Sequence, residues 1–271
     1  AITSNEVEDS FLNFSKVVRI FEENPNLIQD IPKQYIKSLG NLFYYYIGSD
    51  DYGRLFELIE KMRSLKDQPG FNRLDIQIRI YLTTQYFEML AYERVGQFDK
   101  ALDMLEPIRE KMKDFGDKIT KEDEVLFEHL FANVYFGAGK YREALRQLNT
   151  VLNDSESNLR QDIYSFVKLF NLVIHYELNN FDLLDYLVKS TERFYLKRKK
   201  LAETGYKFEM MFIRSFKQLV KPTRSASQNT QTLKQMLDEL KTLMSDQNER
   251  VALEYFDYLT WIEAKIDNRS Y

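Results

Sequence analysis

Apolar residues recur along this chain every three or four positions, the period of one face of an α-helix. The clearest stretch runs from Leu126 to Asp154. There Phe127, Leu130, Phe131, Val134 and Tyr135 form one apolar stripe, the pattern stops at Gly137 and Gly139, and it restarts through Tyr141, Ala144, Leu145, Leu148 and Val151. That order predicts two helices joined by a turn. Gly139 supplies a backbone conformation that a Cβ disfavours, so the turn is short and the helices run antiparallel. Ala144, one turn into the second helix, leaves room for the rings of Tyr135 and Tyr141.

Three other stretches repeat this plan. Tyr92, Gly96, Phe98, Ala101, Leu105 and Ile108 stand at the same internal spacings, 43 positions earlier at the turn. Asn179 takes the turn position 40 residues after Gly139, followed by Phe181, Leu184 and Val188. Asp50 takes it 46 residues before Gly96, with Tyr46, Tyr52, Leu55, Ile59 and Met62 around it. Asn is among the few residues that enter the left-handed region readily, so its place at a turn is physically reasonable. In these two outer copies Leu replaces the small residue of the second helix.

The same periodicity sets the remaining elements. A leading helical segment over 4–29 begins with Thr3 and Glu6 in capping-box spacing and carries Phe11, Phe14, Val17, Val18 and Phe21 on one side. Helical hairpins follow over 30–66, 71–115, 120–154 and 158–199, the first opened by Pro32, with a break at Asp67–Asn72. Pro107 lies inside a predicted helix and should kink or restart it, while Glu122, Asp123 and Glu124 favour the dipole of the next one. Residues 202–271 are predicted as a C-terminal hairpin and capping helix: helices over 202–220, 232–244 and 247–268, with polar Thr223–Thr232 as a mobile loop. Trp261 and Tyr255, among many charges, fit a cap whose outer face meets water.

Tyr135, Gly139, Tyr141 and Ala144, with Leu148, Val151 and small Ala132 three before the tyrosine, resemble the core of a tetratricopeptide repeat. The resemblance covers residues 30–200, although the spacing exceeds the family's usual period of about 34. It implies an all-α fold, a right-handed α-α superhelix in which residues 1–271 form one helical-repeat domain. It also implies a concave groove lined by the first helices, whose positions fall on Tyr44, Tyr86, Leu90, His129, Asn133, Phe136, Phe166, Leu169 and Tyr176. Some family members bind acidic chaperone tails through a basic, asparagine-rich clamp; Asn133 matches it, while Tyr44, Leu90 and Val173 depart from it. An apolar helix or extended peptide therefore suits this groove better. Glu23-Asn24-Pro25-Asn26 resembles the proline-bearing exit of a repeat, and with Ala1 in first place the expectation is a piece of a longer protein. The whole chain resembles, less specifically, the C-terminal part of bacterial repeat proteins of this type.

Composition narrows the chemistry. The 271 residues are 44 % hydrophobic and 30 % charged, the balance of a soluble globular chain. Only 9 Gly and 5 Pro are present, few for a β-rich fold, and the 20 Phe and 18 Tyr recur at helical spacing, as inter-helix packing would require. Without cysteine there is no disulfide framework, thiol catalysis or cysteine-bound metal. No apolar run reaches the ~18 residues of a membrane span, and no signal-like segment opens the chain. Gly137-Ala138-Gly139-Lys140 is reminiscent of a phosphate loop, but Val134 and Tyr141 stand where such a loop needs Gly and Ser or Thr. The only histidines, His129 and His175, lack the i, i+4 partner of a helical metal site.

Charge supplies a competing site. Residues 189–224 hold eleven basic residues against three acidic ones, a balance of +8 in a chain of net −4, leaving −12 elsewhere. Lys189, Arg193, Lys197 and Lys200 form one helical stripe that could attract nucleic acid or an acidic partner. The expected function is a non-catalytic scaffold without cofactor or metal, cytoplasmic, binding a protein or peptide in the groove. Nucleic-acid or acidic-partner binding through the stripe, self-association, and service as a non-catalytic part of a larger enzyme are the alternatives.

Overall fold

Asp50, Gly96, Gly139 and Asn179, the turn positions of the four sequence copies, all adopt a left-handed backbone, with φ of 56, 72, 72 and 57°. At each, the next residue's N–H reaches back five positions: Asp51 to Tyr46, Gln97 to Tyr92, Lys140 to Tyr135 and Asn180 to His175, at 2.8–3.0 Å. The turn residue itself donates to the carbonyl three before it, at 2.9–3.3 Å. This pair of bonds is the Schellman closure of a helix end. The next helix starts at once, with Leu55, Ala101, Ala144 and Leu184 donating to the carbonyl four residues back. Behind each turn the same positions are buried. Phe43, Met89, Ala132 and Leu172 stand seven residues before it, Leu55, Ala101, Ala144 and Leu184 five after it, and all eight are fully buried.

The computed structural model describes residues 4–153, 160–199 and 206–271. Among the described residues every regular element is helical and no strand occurs, and no described helix is long and apolar enough to cross a membrane. The expected cap at Thr3 and the expected helix start at 202 lie outside the described residues. The chain divides into two compact units, residues 2–123 and 124–271.

The first unit holds α1 (Ser4–Glu23), α2 (Pro25–Asp30), α3 (Pro32–Gly48), α4 (Tyr52–Ser64), α5 (Leu74–Arg94) and α6 (Phe98–Phe115). From α3 onward each helix packs on its chain neighbour; α1 also packs on α3, and α3 on α5. Phe11 stacks on Tyr45 at 4.2 Å and Phe21 meets Tyr35 at 5.4 Å, which fastens α1 by aromatic contact. The break after α4 is itself anchored. Phe71 is fully buried, and Gly70, at φ 89°, lies so close to α2 that a Cβ there would come 2.9 Å from the Gln29 Cα. Pro107 does not restart its helix: α6 runs unbroken from Phe98 to Phe115. Pro107 sits on the exposed side, where water can take the carbonyl that it leaves unbonded.

The second unit contains nearly all of α7 (Lys121–Gly137), then α8 (Tyr141–Leu152), α9 (Gln161–Glu177), α10 (Phe181–Lys199), α11 (Lys207–Leu219) and α12 (Ala226–Leu243). Three short pieces follow, α13 (Gln247–Arg250), α14 (Ala252–Tyr255) and α15 (Tyr258–Asp267). Helices α8 to α12 pack in sequence, α9 also touches α11 and α14, and α15 lies on α12.

Two expectations are corrected here. Thr223–Thr232 is not a loop, because Ser225 and Gln228 form a full capping box that starts α12 at Ala226. Arg224 ties that first turn by donating to the Gln228 carbonyl and the Thr232 hydroxyl, both at 2.6 Å. The single helix expected over 247–268 is broken instead. Phe256 is extended (φ −162°, ψ 141°), and Asp257 caps a new helix by accepting from the Thr260 N–H at 3.0 Å. Trp261 points inward, 1 % exposed, and donates to Glu177 at 2.7 Å.

The start of α11 is capped from far along the chain. The Glu249 carboxylate accepts from the Phe208 N–H at 2.7 Å and the Lys207 N–H at 3.4 Å. Glu209 is buried beside this cap. Burial, with the Glu249 charge adding to it, pushes its carboxyl up to about 7.

Three outcomes are expected. Gly139→Ala meets no neighbour and suffers only the left-handed backbone, so it should lower stability by about 1 kcal/mol. Gly70→Ala adds a backbone clash and should cost roughly twice that or more; denaturant unfolding followed by circular dichroism gives both values. For Glu209 the folded pKa is raised, so its contribution to stability is complete below about 4.5 and is lost as pH rises through about 7. Glu209→Gln should therefore leave stability near pH 5 little changed and raise it near pH 8 by roughly 3 kcal/mol. Comparing the variant with wild type at each pH removes the opposite effect of buried His175, whose pKa is lowered by desolvation.

Candidate functional site

The expected groove positions of the second unit lie on α7 and α9, and the chain's own C-terminal segment covers them. Phe136 is fully buried. Its ring meets Phe170 at 5.3 Å, Phe256 at 5.1 Å and Tyr271 at 5.2 Å. Phe256 stacks on Phe170 at 4.4 Å, and Tyr271 stacks on Phe256 at 5.5 Å. One residue earlier, Tyr255 stacks on Phe166 at 4.4 Å and lies 6.0 Å from the His129 ring. Leu169 is fully buried, and Tyr176 packs edge-on against Phe216 and Trp261.

Polar contacts hold the same segment. Asn133 donates from Nδ2 to the Tyr255 carbonyl at 3.0 Å, while its Oδ1 is buried without a hydrogen-bond partner among the described residues. The Tyr255 hydroxyl donates to Asp162 at 2.9 Å, and Arg160 donates to the same oxygen at 2.7 Å. Burial raises the Asp162 carboxyl, but the bonds from Arg160 and Tyr255 outweigh it and hold the group down at about 2. The extended backbone at Phe256 makes the arrangement work, since it turns two consecutive aromatic side chains into successive slots between α7 and α9. Tyr255, Phe256 and Tyr271 were not among the residues expected from the sequence to matter on this face. The Asp257 and Thr260 spacing, a helix start inside an apolar-periodic stretch, was the signal that could have found the break.

In the first unit the expected groove positions are Tyr44, Tyr86 and Leu90. Leu90 is buried. Tyr44 is 64 % exposed, with its ring edge-on to Phe87 at 4.9 Å. Tyr86, half-buried, leans on the same Phe87 ring at 5.3 Å. Two tyrosines from α3 and α5 thus share one buried phenylalanine as their support, and Tyr44 presents most of its surface to solvent.

The basic stretch is neutralised along much of its length. Lys207 pairs with Asp246 at 3.1 Å, Lys217 with Glu192 at 2.5 Å, and Arg214 with Glu239. Lys207, Arg214, Lys217, Glu192 and Glu239 of these pairs line an open cleft along α11 and α12 together with Met210, Met211 and Leu243. Of the stripe on α10, Lys189 pairs with Asp185 at 2.5 Å one turn away. Arg193 donates to the Lys189 carbonyl at 3.3 Å. Exposed Lys197 has no ion-pair partner among the described residues, and Lys200 lies outside them.

No three His, Cys, Asp or Glu side chains converge into a metal-binding group among the described residues. His175 Nδ1 lies 3.0 Å from Asn180 Nδ2 and fastens the turn between α9 and α10. His129 is buried under Tyr255. Gly137-Ala138-Gly139-Lys140 is the turn between α7 and α8, its lysine in the N-cap position of α8.

No family model, curated protein or solved structure matches this chain. The four equivalent turns and the sequential packing of neighbouring helices are compatible with a helical repeat.

Proposed function

We propose that this chain is a non-catalytic interaction scaffold, its hairpins winding as a right-handed, tetratricopeptide-like superhelix that receives an apolar peptide or helix. The observation that carries the reading is the fourfold turn, with the same Schellman closure and the same buried positions at Asp50, Gly96, Gly139 and Asn179. Repeated hairpins that stack in sequence present a row of first helices, and such rows are used for partner binding.

The open part of that row is the tyrosine ledge of Tyr44 and Tyr86 on α3 and α5. Its counterpart on α7 and α9 is filled by Tyr255, Phe256 and Tyr271, so a partner has no access to Phe136, Phe166 or Asn133 without displacing them. Tyrosine supplies a large, stiff apolar contact and a polar tip, and it is among the side chains enriched at the centre of binding surfaces.

Selection of a displayed library of random peptides on the immobilised chain tests this. Enriched peptides should carry Leu, Phe or Trp at helical or alternating spacing. The double variant Tyr44→Asp, Tyr86→Ser should weaken a selected peptide by about tenfold or more with an unchanged circular dichroism spectrum. Undiminished binding to the folded variant would sink the ledge, and a library that yields no enriched peptide would sink the scaffold reading with it.

A further inference from the structure

The outer sides of two second helices carry charges of opposite sign in matched rows. On α6, Asp99, Asp103, Glu106 and Glu110 follow i, i+4, i+7, i+11 spacing, and all four are exposed. They lie within a narrow sector of the helix surface. Glu106 pairs with Arg109 on its own helix at 2.9 Å; Asp99, Asp103 and Glu110 have no ion-pair partner among the described residues. On α10, Lys189, Arg193 and Lys197 follow i, i+4, i+8 spacing and are exposed as well. Arg193 and Lys197 meet no carboxylate among the described residues, and the Asp185 that holds Lys189 is a solvent-exposed neighbour that can be exchanged. At 1.5 Å per residue, the acidic row spans about 16 Å and the basic row about 12 Å.

The basic row is bordered by apolar surface. Leu183, Tyr186 and Leu196 are exposed on α10, Tyr186 at 60 %. On α6, exposed Pro107 stands beside the acidic row and offers a flat apolar contact of its own. Outside residues 189–224 the chain carries −12, so the acidic surface that would complement the basic row is present on every other copy of the chain.

We propose that the α10 face of one copy docks on the α6 face of a second copy, carboxylates opposite cations and Tyr186 or Leu196 against Pro107. The two faces differ, so the contact is heterologous. Nucleic acid is the weaker occupant, because Lys207, Arg214 and Lys217 are already engaged by carboxylates of their own unit. Exposed ion pairs are individually weak and are screened over about 10 Å at 0.1 M salt. The association should therefore be concentration-dependent and salt-sensitive.

The test uses the full chain and light scattering behind size-exclusion chromatography, over a concentration series at low and at high salt. Wild type should gain mass with concentration at low salt and lose it at high salt. Two reversal variants separate the faces: Lys189→Glu with Arg193→Glu and Lys197→Glu, and Asp103→Lys with Glu106→Lys and Glu110→Lys. All six positions are exposed, and circular dichroism verifies the fold. Each variant alone should stay monomeric, while an equimolar mixture should associate again, because one variant's native acidic face then meets the other's native basic face. Monomeric wild type at every concentration overturns the proposal. So does association that survives either reversal, or a mixture that does not associate. Binding of a labelled single-stranded RNA by monomeric wild type, lost with the basic-row variant, would assign the row to nucleic acid instead and overturn it equally.

Discussion

One left-handed residue per repeat governs the arrangement of the helices around it. At Asp50, Gly96, Gly139 and Asn179 the backbone reverses its sense for a single residue, and two hydrogen bonds close the helix before it. Because the following residue also begins the next helix, there is no slack in the connection. The position seven before the turn is then brought into the same core layer as the position five after it. Phe43 is buried with Leu55, Met89 with Ala101, Ala132 with Ala144 and Leu172 with Leu184. The large and small partners change from copy to copy, while the register does not. That explains how the copies diverge in side chain yet keep one geometry. It also explains why Asp50 and Asn179 are tolerated, since a short polar side chain is the least costly non-glycine choice in this region. The Asp50 carboxylate is further held by the Tyr52 hydroxyl at 2.8 Å.

The same constraint decides where the second unit needs extra aromatic surface. In the second unit the first helices α7 and α9 leave a trough between them. On α7 and α9 the trough is lined by Phe136, Phe166 and Phe170, too much apolar area to leave in water. The chain fills it with Tyr255, Phe256 and Tyr271, and the filling requires Phe256 to be extended, which a continuous helix over 247–268 could not provide. The break is enforced by local chemistry. The Asp257 carboxylate accepts from both the N–H and the hydroxyl of Thr260, so α15 starts there regardless of how α14 ends.

The turns, the hairpins and most helix bounds were legible in the sequence because they depend on neighbours within a dozen residues. Glycine or asparagine at fixed offsets from aromatic and small residues is enough to place them. The failures have equally local or decidedly non-local causes. The polarity of Thr223–Thr232 predicts a loop, although Ser225 and Gln228 already stand at capping-box spacing; side-chain pattern outweighs composition at a helix start. Occupancy of the trough was not legible at all. Counting back from a turn identifies the side chains on a face, but their cover comes from elsewhere: Asn133 is bonded to Tyr255, 122 residues away. The pairing of the basic stretch was hidden for the same reason, since Glu239 and Asp246 lie beyond its end and reach Arg214 and Lys207 only when α11 and α12 pack.

That pairing changes what a run of positive charge means. As a sequence, residues 189–224 look uniformly basic; folded, they separate into a part on α11 paired with carboxylates of other segments and a part on α10 where Lys189 pairs within its own helix and Arg193 and Lys197 meet no carboxylate among the described residues. Cations on α11 meet carboxylates from both sides: Lys217 pairs with Glu192 of α10, Arg214 with Glu239 of α12, and Lys207 with Asp246 just after α12. On α10 Arg193 donates to the Lys189 carbonyl of its own helix, and Lys197 meets no carboxylate among the described residues. On α6 Asp99, Asp103 and Glu110 likewise have no ion-pair partner among the described residues. Stacking hairpins in sequence therefore neutralises charge between adjacent helices and leaves it on the outer faces. Those faces are where net charge of either sign remains available to a second molecule.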